Sequence, residues 1–150
     1  MHSKNYLHRM INLLHILPII NENNEIKEVK ISGFRYAQSE YHEDNSDIFN
    51  LMDENNLLFI DPNAKEEGFS EESDIWSIGL VIYFMTFGSL PSQDLHILRK
   101  IRDEGNVHIL SDVEANIKSF IRFCFKKRKR GELADKILKD QLLIEEHLIF

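Results

Sequence analysis

Residues 70–91 read SEESDIWSIGLVIYFMTFGSLP, and almost every residue from Ile75 to Phe87 is apolar. A helix without a polar face is a buried helix, and thirteen residues are too few to cross a bilayer. Ser70 or Ser73 can cap the start of this helix, and Gly88 can end it. The stretch therefore predicts a buried central helix around which the rest of the chain packs.

The chain has 150 residues, of which 43% are apolar, so we expect one domain or a part of a larger one. Its single cysteine, Cys124, excludes an internal disulfide and is typical of a reducing compartment. Residues 1–25 contain no secretory signal pattern. We therefore expect a cytoplasmic protein that is not associated with a membrane.

Charge is distributed unevenly along the chain, whose formal net charge is −7. Residues 40–74 contain twelve acidic residues and one basic residue, and residues 118–130 contain seven basic residues and no acidic ones. We interpret both runs as solvated surface. The basic run at 126–130 leaves a nuclear location as an alternative, but nucleic-acid binding is not expected, because aromatic residues do not interleave these charges.

Outside the central helix, the pattern predicts a mainly α chain with one short β-hairpin near the N-terminus. The hairpin comprises an apolar stretch at 13–20, a polar turn, and an alternating strand at 26–31. Residues 32–69 have no sustained period and predict a long surface segment, which is often functional. Three further helices are predicted, beginning at Ser92, at the S-x-x-E capping box of Ser111 and Glu114, and at Glu132.

Four short motifs occur in order along the chain. They are YLHRMINLLH at 6–15, VKISGFR at 29–35, DPN at 61–63 and SDIWSIG at 73–79. Together they resemble the catalytic loop, the D-F-G segment, the A-P-E motif and the S-D-x-W-S-x-G motif of a eukaryotic protein kinase. The likeness is to the C-terminal lobe (C-lobe) of serine/threonine kinases, closest to the calcium/calmodulin-dependent group.

This resemblance covers residues 1–150 and implies a partial protein-kinase-like domain built around the central helix. The resemblance does not include the N-terminal lobe, the hinge or the start of the C-lobe. Residues 33–63 correspond to an activation-segment-like loop. Residues 117–143 resemble the closing helices of the lobe.

The resemblance also implies that the catalytic loop has lost its chemistry. Met10 stands where the family has the aspartate that accepts the substrate proton, and a thioether cannot act as a base. Asn12 stands where a lysine steadies the transferred phosphate. His15 stands where an asparagine holds a metal ion, and imidazole is a poor ligand for magnesium.

The D-F-G position is altered in the same way. Gly33 replaces the aspartate that is the main metal ligand, and Arg35 replaces the glycine, while Phe34 is retained. On this reading no catalytic, cofactor-binding or metal-binding residue is intact. We therefore expect no cofactor and no bound metal.

Residues with scaffold roles are retained, which the resemblance identifies as His8, Arg9, Asp74, Trp76 and Gly79. In the family, the histidine belongs to a packed spine and the aspartate bonds to the catalytic-loop backbone. Arg9 corresponds to an arginine that pairs with a phosphate on the activation segment. We hypothesise that an acidic side chain such as Asp53 or Glu54 replaces that phosphate.

The A-P-E position reads Asp61, Pro62 and Asn63. Its third residue normally pairs with an arginine near the last helix. Asn63 cannot form that ion pair, which leaves Arg128 or Arg130 without it.

We therefore predict a pseudokinase-like fragment that acts by protein binding or regulation. Its partner would be a kinase, a kinase substrate, or a second copy bound through exposed apolar surface. One alternative is a serine/threonine kinase with residual activity, using ATP and magnesium in a nucleotide-binding lobe supplied by another chain. Another is a partial gene product without a selected function, because Met1 begins inside a pattern that resembles an internal family segment.

Overall fold

The computed structural model describes residues 1–39, 48–105, 107 and 113–126. Helices predominate in these ranges, and the prediction of a mainly helical chain with a small hairpin is confirmed. The helices are α1 (Ile48–Leu51), α2 (Glu54–Leu57), α3 (Ala64–Glu67), α4 (Glu71–Phe87), α5 (Leu95–Glu104) and α6 (Ala115–Phe125). The strands are β1 (Tyr6–Leu7), β2 (Ile16–Ile20), β3 (Ile26–Ile31) and β4 (Gln38–Ser39).

Helix α4 is bounded by two capping structures. Ser70 and Ser73 form a reciprocal capping box, in which the Ser70 N–H donates to Ser73 Oγ at 3.2 Å. At the other end Gly88 adopts the left-handed conformation with φ of 73°, and its N–H donates to the Phe84 carbonyl at 2.8 Å. The helix is therefore fixed in length by its flanking residues.

Burial along α4 is uneven. Trp76 and Leu80 are fully buried, whereas Ile82 and Tyr83 contact the core with part of their surface and Met85 is 67% exposed. The all-apolar sequence predicts burial on every side, and that prediction is wrong for the last turns. Among the described residues, the neighbouring elements cover only one side of this half of the helix.

Two separate apolar cores are present among the described residues. The first joins α4, α5 and α6 through Trp76, Leu98 and Phe125. The second lies around Leu7 and is formed mostly by residues from 48 to 69. The prediction that residues 32–69 form only a surface segment is therefore wrong. Of its buried side chains, Ile48 and Ala64 lie on helices of four residues, and the others lie between or after these helices, so no sustained period results.

The hairpin of β2 and β3 is antiparallel, with Ile16 opposite Ile31 and a bulge after Ile19. Its first strand begins at Ile16, because residues 13–15 form a 3-10 turn rather than a strand. A second antiparallel pair joins β1 to β4. The sequence does not predict this pair, since each strand has only two residues and shows no alternation.

Two predicted helix starts differ from the structure. Helix α5 is capped by Asp94, whose carboxylate accepts from the His96 N–H at 2.8 Å, while Ser92 Oγ accepts from the Asp94 N–H at 2.9 Å. Ser92 therefore supports the cap residue and is not the cap itself. Helix α6 begins after Glu114; the capping residue predicted for it, Ser111, and the helix predicted from Glu132 lie outside the described residues.

Candidate functional site

Asp74, in the first turn of α4, connects this helix to the catalytic-loop-like segment. Its side chain is buried, and its two carboxylate oxygens accept from consecutive backbone N–H groups, those of His8 at 2.7 Å and Arg9 at 2.8 Å. Arg9 has a φ of 65°, which is uncommon for a residue with a side chain. The carboxylate satisfies both N–H groups and so holds the loop in this conformation.

His2 also binds Asp74, with 2.8 Å between its Nε2 and the Asp74 Oδ2. Burial lowers the pKa of His2, but the hydrogen bond and charge of Asp74, together with the charge of Glu71, outweigh burial and raise it above its ordinary value. The sequence does not predict this contact of His2. No local spacing links it to a carboxylate 72 residues away.

His8 joins the loop to the D-F-G-like segment. Its Nδ1 accepts from the Met10 N–H at 3.3 Å, so its proton is assigned to Nε2, which donates to the Ser32 carbonyl at 2.8 Å. Its ring packs against Phe34, with 4.9 Å between the ring centroids. Both ring nitrogens of His8 are therefore hydrogen-bonded, and its ring is part of the packing between the two segments.

Arg9 points toward the segment that follows Gly33. Its Nε donates to the Tyr36 carbonyl at 2.7 Å, and its guanidinium lies 5.2 Å from the centroid of the Phe69 ring. Asp53 caps α2 by accepting from the backbone and side-chain N–H groups of Asn56 at 2.9 and 2.8 Å. Pairing of Arg9 with Asp53 or Glu54 stays a prediction.

Two of the three altered catalytic-loop positions, Asn12 and Met10, contact other parts of the fold. Asn12 is buried; its Oδ1 accepts from the Leu14 N–H at 2.9 Å and its Nδ2 donates to Asn56 Oδ1 at 2.7 Å. Met10 is half-buried and packs against the second core. Neither side chain offers a base or a cation to a substrate.

The third altered position, His15, lies against Gly33. The His15 Nδ1–H donates to the Met10 carbonyl at 2.7 Å. Gly33 has a φ of 81°, and a Cβ built on it would lie 2.5 Å from Cγ of the imidazole and closer still to Cδ2 and Nε2. The structure thus brings together the two positions at which the resemblance places metal ligands, with no room between them. Arg35 is exposed and lies beside the Tyr36 ring.

The A-P-E-like position contains a buried ion pair that the sequence does not predict. Asp61 Oδ2 lies 2.9 Å from Arg102 Nε, and both side chains are buried. Burial raises the pKa of the Asp61 carboxyl, and the charge of Arg102 only partly offsets this rise. Pro62 is buried beside it, and Asn63 Nδ2 donates to Asp103 at 3.1 Å. Arg128 and Arg130 lie outside the described residues.

Trp76 and Gly79 form the contact between α4 and α6. The Trp76 ring packs on Phe125 with 4.6 Å between centroids. A Cβ on Gly79 would lie 2.5 Å from the Cβ of Cys124, so only glycine permits this approach of the helices. These two residues therefore support the packing of α4 against α6.

Two further observations concern the described residues as a set. No three His, Cys, Asp or Glu side chains within residues 1–39, 48–105, 107 and 113–126 could hold a metal ion together. None of the helices in these ranges is both long enough and apolar enough to cross a membrane.

Comparisons with known proteins give one family. A family model described as "Protein tyrosine and serine/threonine kinase" matches residues 1–138. The chain is 23% identical to serine/threonine-protein kinase 33 of Bos taurus over 156 residues, which cover 99% of this chain and 32% of the relative. It is 29% identical to ribosomal protein S6 kinase 2 alpha of Gallus gallus over 100 residues, which cover 61% of this chain and 12% of the relative. The chain therefore spans about a third or less of the length of these curated relatives.

Proposed function

Because the chain belongs to the protein tyrosine and serine/threonine kinase family, we propose that it is a catalytically inactive member, a pseudokinase, that acts by binding another protein. One observation carries the proposal. Asp74 holds the loop of His8 and Arg9 in a defined conformation, yet the reacting positions Met10 and Gly33 in and beside that loop have no proton acceptor and no oxygen ligand in their side chains.

The chemistry of phosphoryl transfer explains why these positions decide the activity. The reaction depends on positioning and on neutralising the charge of the phosphates and their metal ions. Loss of a general base alone costs about 10²–10⁴ in rate. Here the position of the main metal ligand, Gly33, has no side chain either, and the imidazole of His15 occupies the adjoining space.

We also propose a finer place for the chain within the family. The order of the four motifs supports a serine/threonine-type C-lobe in which α4 is the central helix. The contact of Asp74 with the loop, and of Gly79 with α6, agree with such a lobe. The closer likeness to calcium/calmodulin-dependent kinases and a cytoplasmic location stay predictions.

A binding role is supported by the apolar face of the β2–β3 hairpin. The pairing places apolar residues from both strands on one face, namely Ile16, Pro18, Ile20, Ile26, Val29 and Ile31. Val29 and Ile26 are 53% and 62% exposed. A contiguous apolar surface of this kind marks an interaction site in soluble proteins.

We propose that a second copy of the chain covers this face. The six residues named for this face are uncharged, so two copies can bury them against each other without an unpaired charge among them. A dimer of this kind is isologous, since each copy contributes the same surface. A kinase or a kinase substrate is the alternative occupant.

Sedimentation velocity across a concentration series tests this proposal. Val29→Lys places a charge on the apolar face and should weaken self-association by about tenfold or more, because the burial of one valine is worth at least about 1.5 kcal/mol. Leu17→Lys is the matched control, since Leu17 is similarly exposed but pairs with Lys30 on the opposite face. A wild-type chain that stays monomeric throughout would contradict self-association and would direct the search to a kinase or its substrate.

A further inference from the structure

We infer that His15 and Gly33 form a matched pair in which the imidazole fills the space that a side chain at position 33 would need, so that this site is closed to a divalent cation. The inference rests on the proposed function in one respect, namely that Gly33 is the D-F-G aspartate position. The inference adds that a cation is excluded by His15 and Gly33 together and not only by the missing carboxylate at position 33.

One hydrogen bond orients the His15 ring, and a second holds its backbone. Its Nδ1–H donates to the Met10 carbonyl at 2.7 Å, which orients the imidazole. Its own carbonyl accepts from the Ser32 N–H at 2.9 Å, directly beside the pairing of Ile16 with Ile31. Since His15 and Ser32 close the open end of the hairpin, neither backbone can move away without breaking strand pairing.

Gly33 meets the ring at a distance that no side chain tolerates. The three nearest atoms to a Cβ at this position all belong to the imidazole, and its Cγ would lie only 2.5 Å away. The φ of 81° adds a second requirement for glycine, because L side chains rarely adopt the left-handed region. Position 33 is therefore restricted by local backbone conformation and, separately, by the His15 side chain.

These two restrictions can be separated, because Gly88 shares only the first. Gly88 has a φ of 73°, and a Cβ built on it would meet nothing within 4 Å. Alanine at Gly88 therefore measures the cost of the left-handed backbone alone. Alanine at Gly33 measures that cost together with the collision against the imidazole.

A consequence follows for restoring the family residue. Aspartate introduced at Gly33 would force the His15 ring to rotate and to lose its bond to the Met10 carbonyl. The new carboxylate would then share its space with the displaced ring. A cation site at this position requires a smaller residue at 15 as well as a carboxylate at 33.

The test is a double-mutant cycle read by urea unfolding, with the variants Gly33→Ala, His15→Ala, the double variant, and Gly88→Ala as the backbone control. Gly33→Ala should lower the folding equilibrium constant by about tenfold or more beyond the effect of Gly88→Ala, as overpacking does. In the His15→Ala background this excess should disappear. An equal effect of Gly33→Ala in both backgrounds would overturn the pairing.

If Gly33→Ala does not fold, the double variant gives the answer. Folding of the double variant supports the pair, and its failure beside folded His15→Ala and Gly88→Ala variants overturns it. The cycle measures packing and not catalysis, so its failure leaves the proposed function standing. Conversely, phosphoryl transfer by the wild-type chain would refute the proposed function without changing the result of the cycle.

Discussion

Replacing Asp74 should destabilise the whole domain, because its carboxylate joins α4 to the loop of His8 and Arg9. In Asp74→Ala, two buried backbone N–H groups lose their acceptor, and each unsatisfied group costs about 1–3 kcal/mol. The left-handed conformation of Arg9 also loses its support. The sum is about 2–6 kcal/mol, a large fraction of the roughly 5–15 kcal/mol that stabilises a typical protein.

Urea unfolding measured by tryptophan fluorescence gives the free energy of unfolding directly. Trp76 is the only tryptophan of the chain and is fully buried, so its emission reports the loss of the core. Asp94→Ala is the matched control, since it removes an exposed carboxylate that caps α5 through a single N–H and should cost about 1 kcal/mol. If Asp74→Ala costs no more than Asp94→Ala, the carboxylate does not hold the loop and the reasoning is refuted.

Three further changes have defined outcomes. Although burial lowers the pKa of His2, Asp74 raises it above its ordinary value. The stability that His2 adds is therefore complete below about pH 6.5 and is lost as pH rises through the raised pKa. Between about pH 6 and 8, the urea midpoint of His2→Gln should change less than the midpoint of the wild type. Gly79→Ala places a Cβ against Cys124 and should cost about 1–3 kcal/mol, measured as a lower thermal midpoint; an unchanged midpoint would contradict the close helix contact. Arg102→Ala leaves the buried carboxylate of Asp61 unpaired and should lower the free energy of unfolding in urea by about 3–5 kcal/mol. Arg99→Ala, which breaks an exposed ion pair, should cost far less. Equal costs for the two variants would refute the buried pair.

The parts of the fold that the sequence predicts are those with a sustained local pattern. Helix α4 has a capping serine, an apolar run and a terminal glycine, and strand β3 alternates between flanking polar residues. The second core has no such signal. Its buried residues lie on helices of four residues and on the turns around them, and they pack with Leu7, which is far away in the chain.

The candidate site likewise contains some contacts that the sequence predicts and others that it does not. The contact of Asp74 with the loop backbone is expected from the motif that contains it, and the structure contains that contact. The pairs of His2 with Asp74 and of Asp61 with Arg102 join residues 72 and 41 positions apart. The resemblance predicts that Gly33 replaces a metal ligand, but it does not predict that His15 fills the space beside Gly33, because only the folded hairpin brings the two residues together.

Binding and turnover of ATP by the purified chain test the proposed loss of phosphoryl transfer most directly. We predict that millimolar ATP with Mg²⁺ neither raises the urea midpoint reported by Trp76 nor yields transfer of the γ-phosphoryl group to a mixture of serine- and threonine-containing peptides. An active serine/threonine kinase assayed in parallel provides the positive control. Saturable, Mg²⁺-dependent ATP binding accompanied by phosphopeptide formation by the wild-type chain would contradict the proposal.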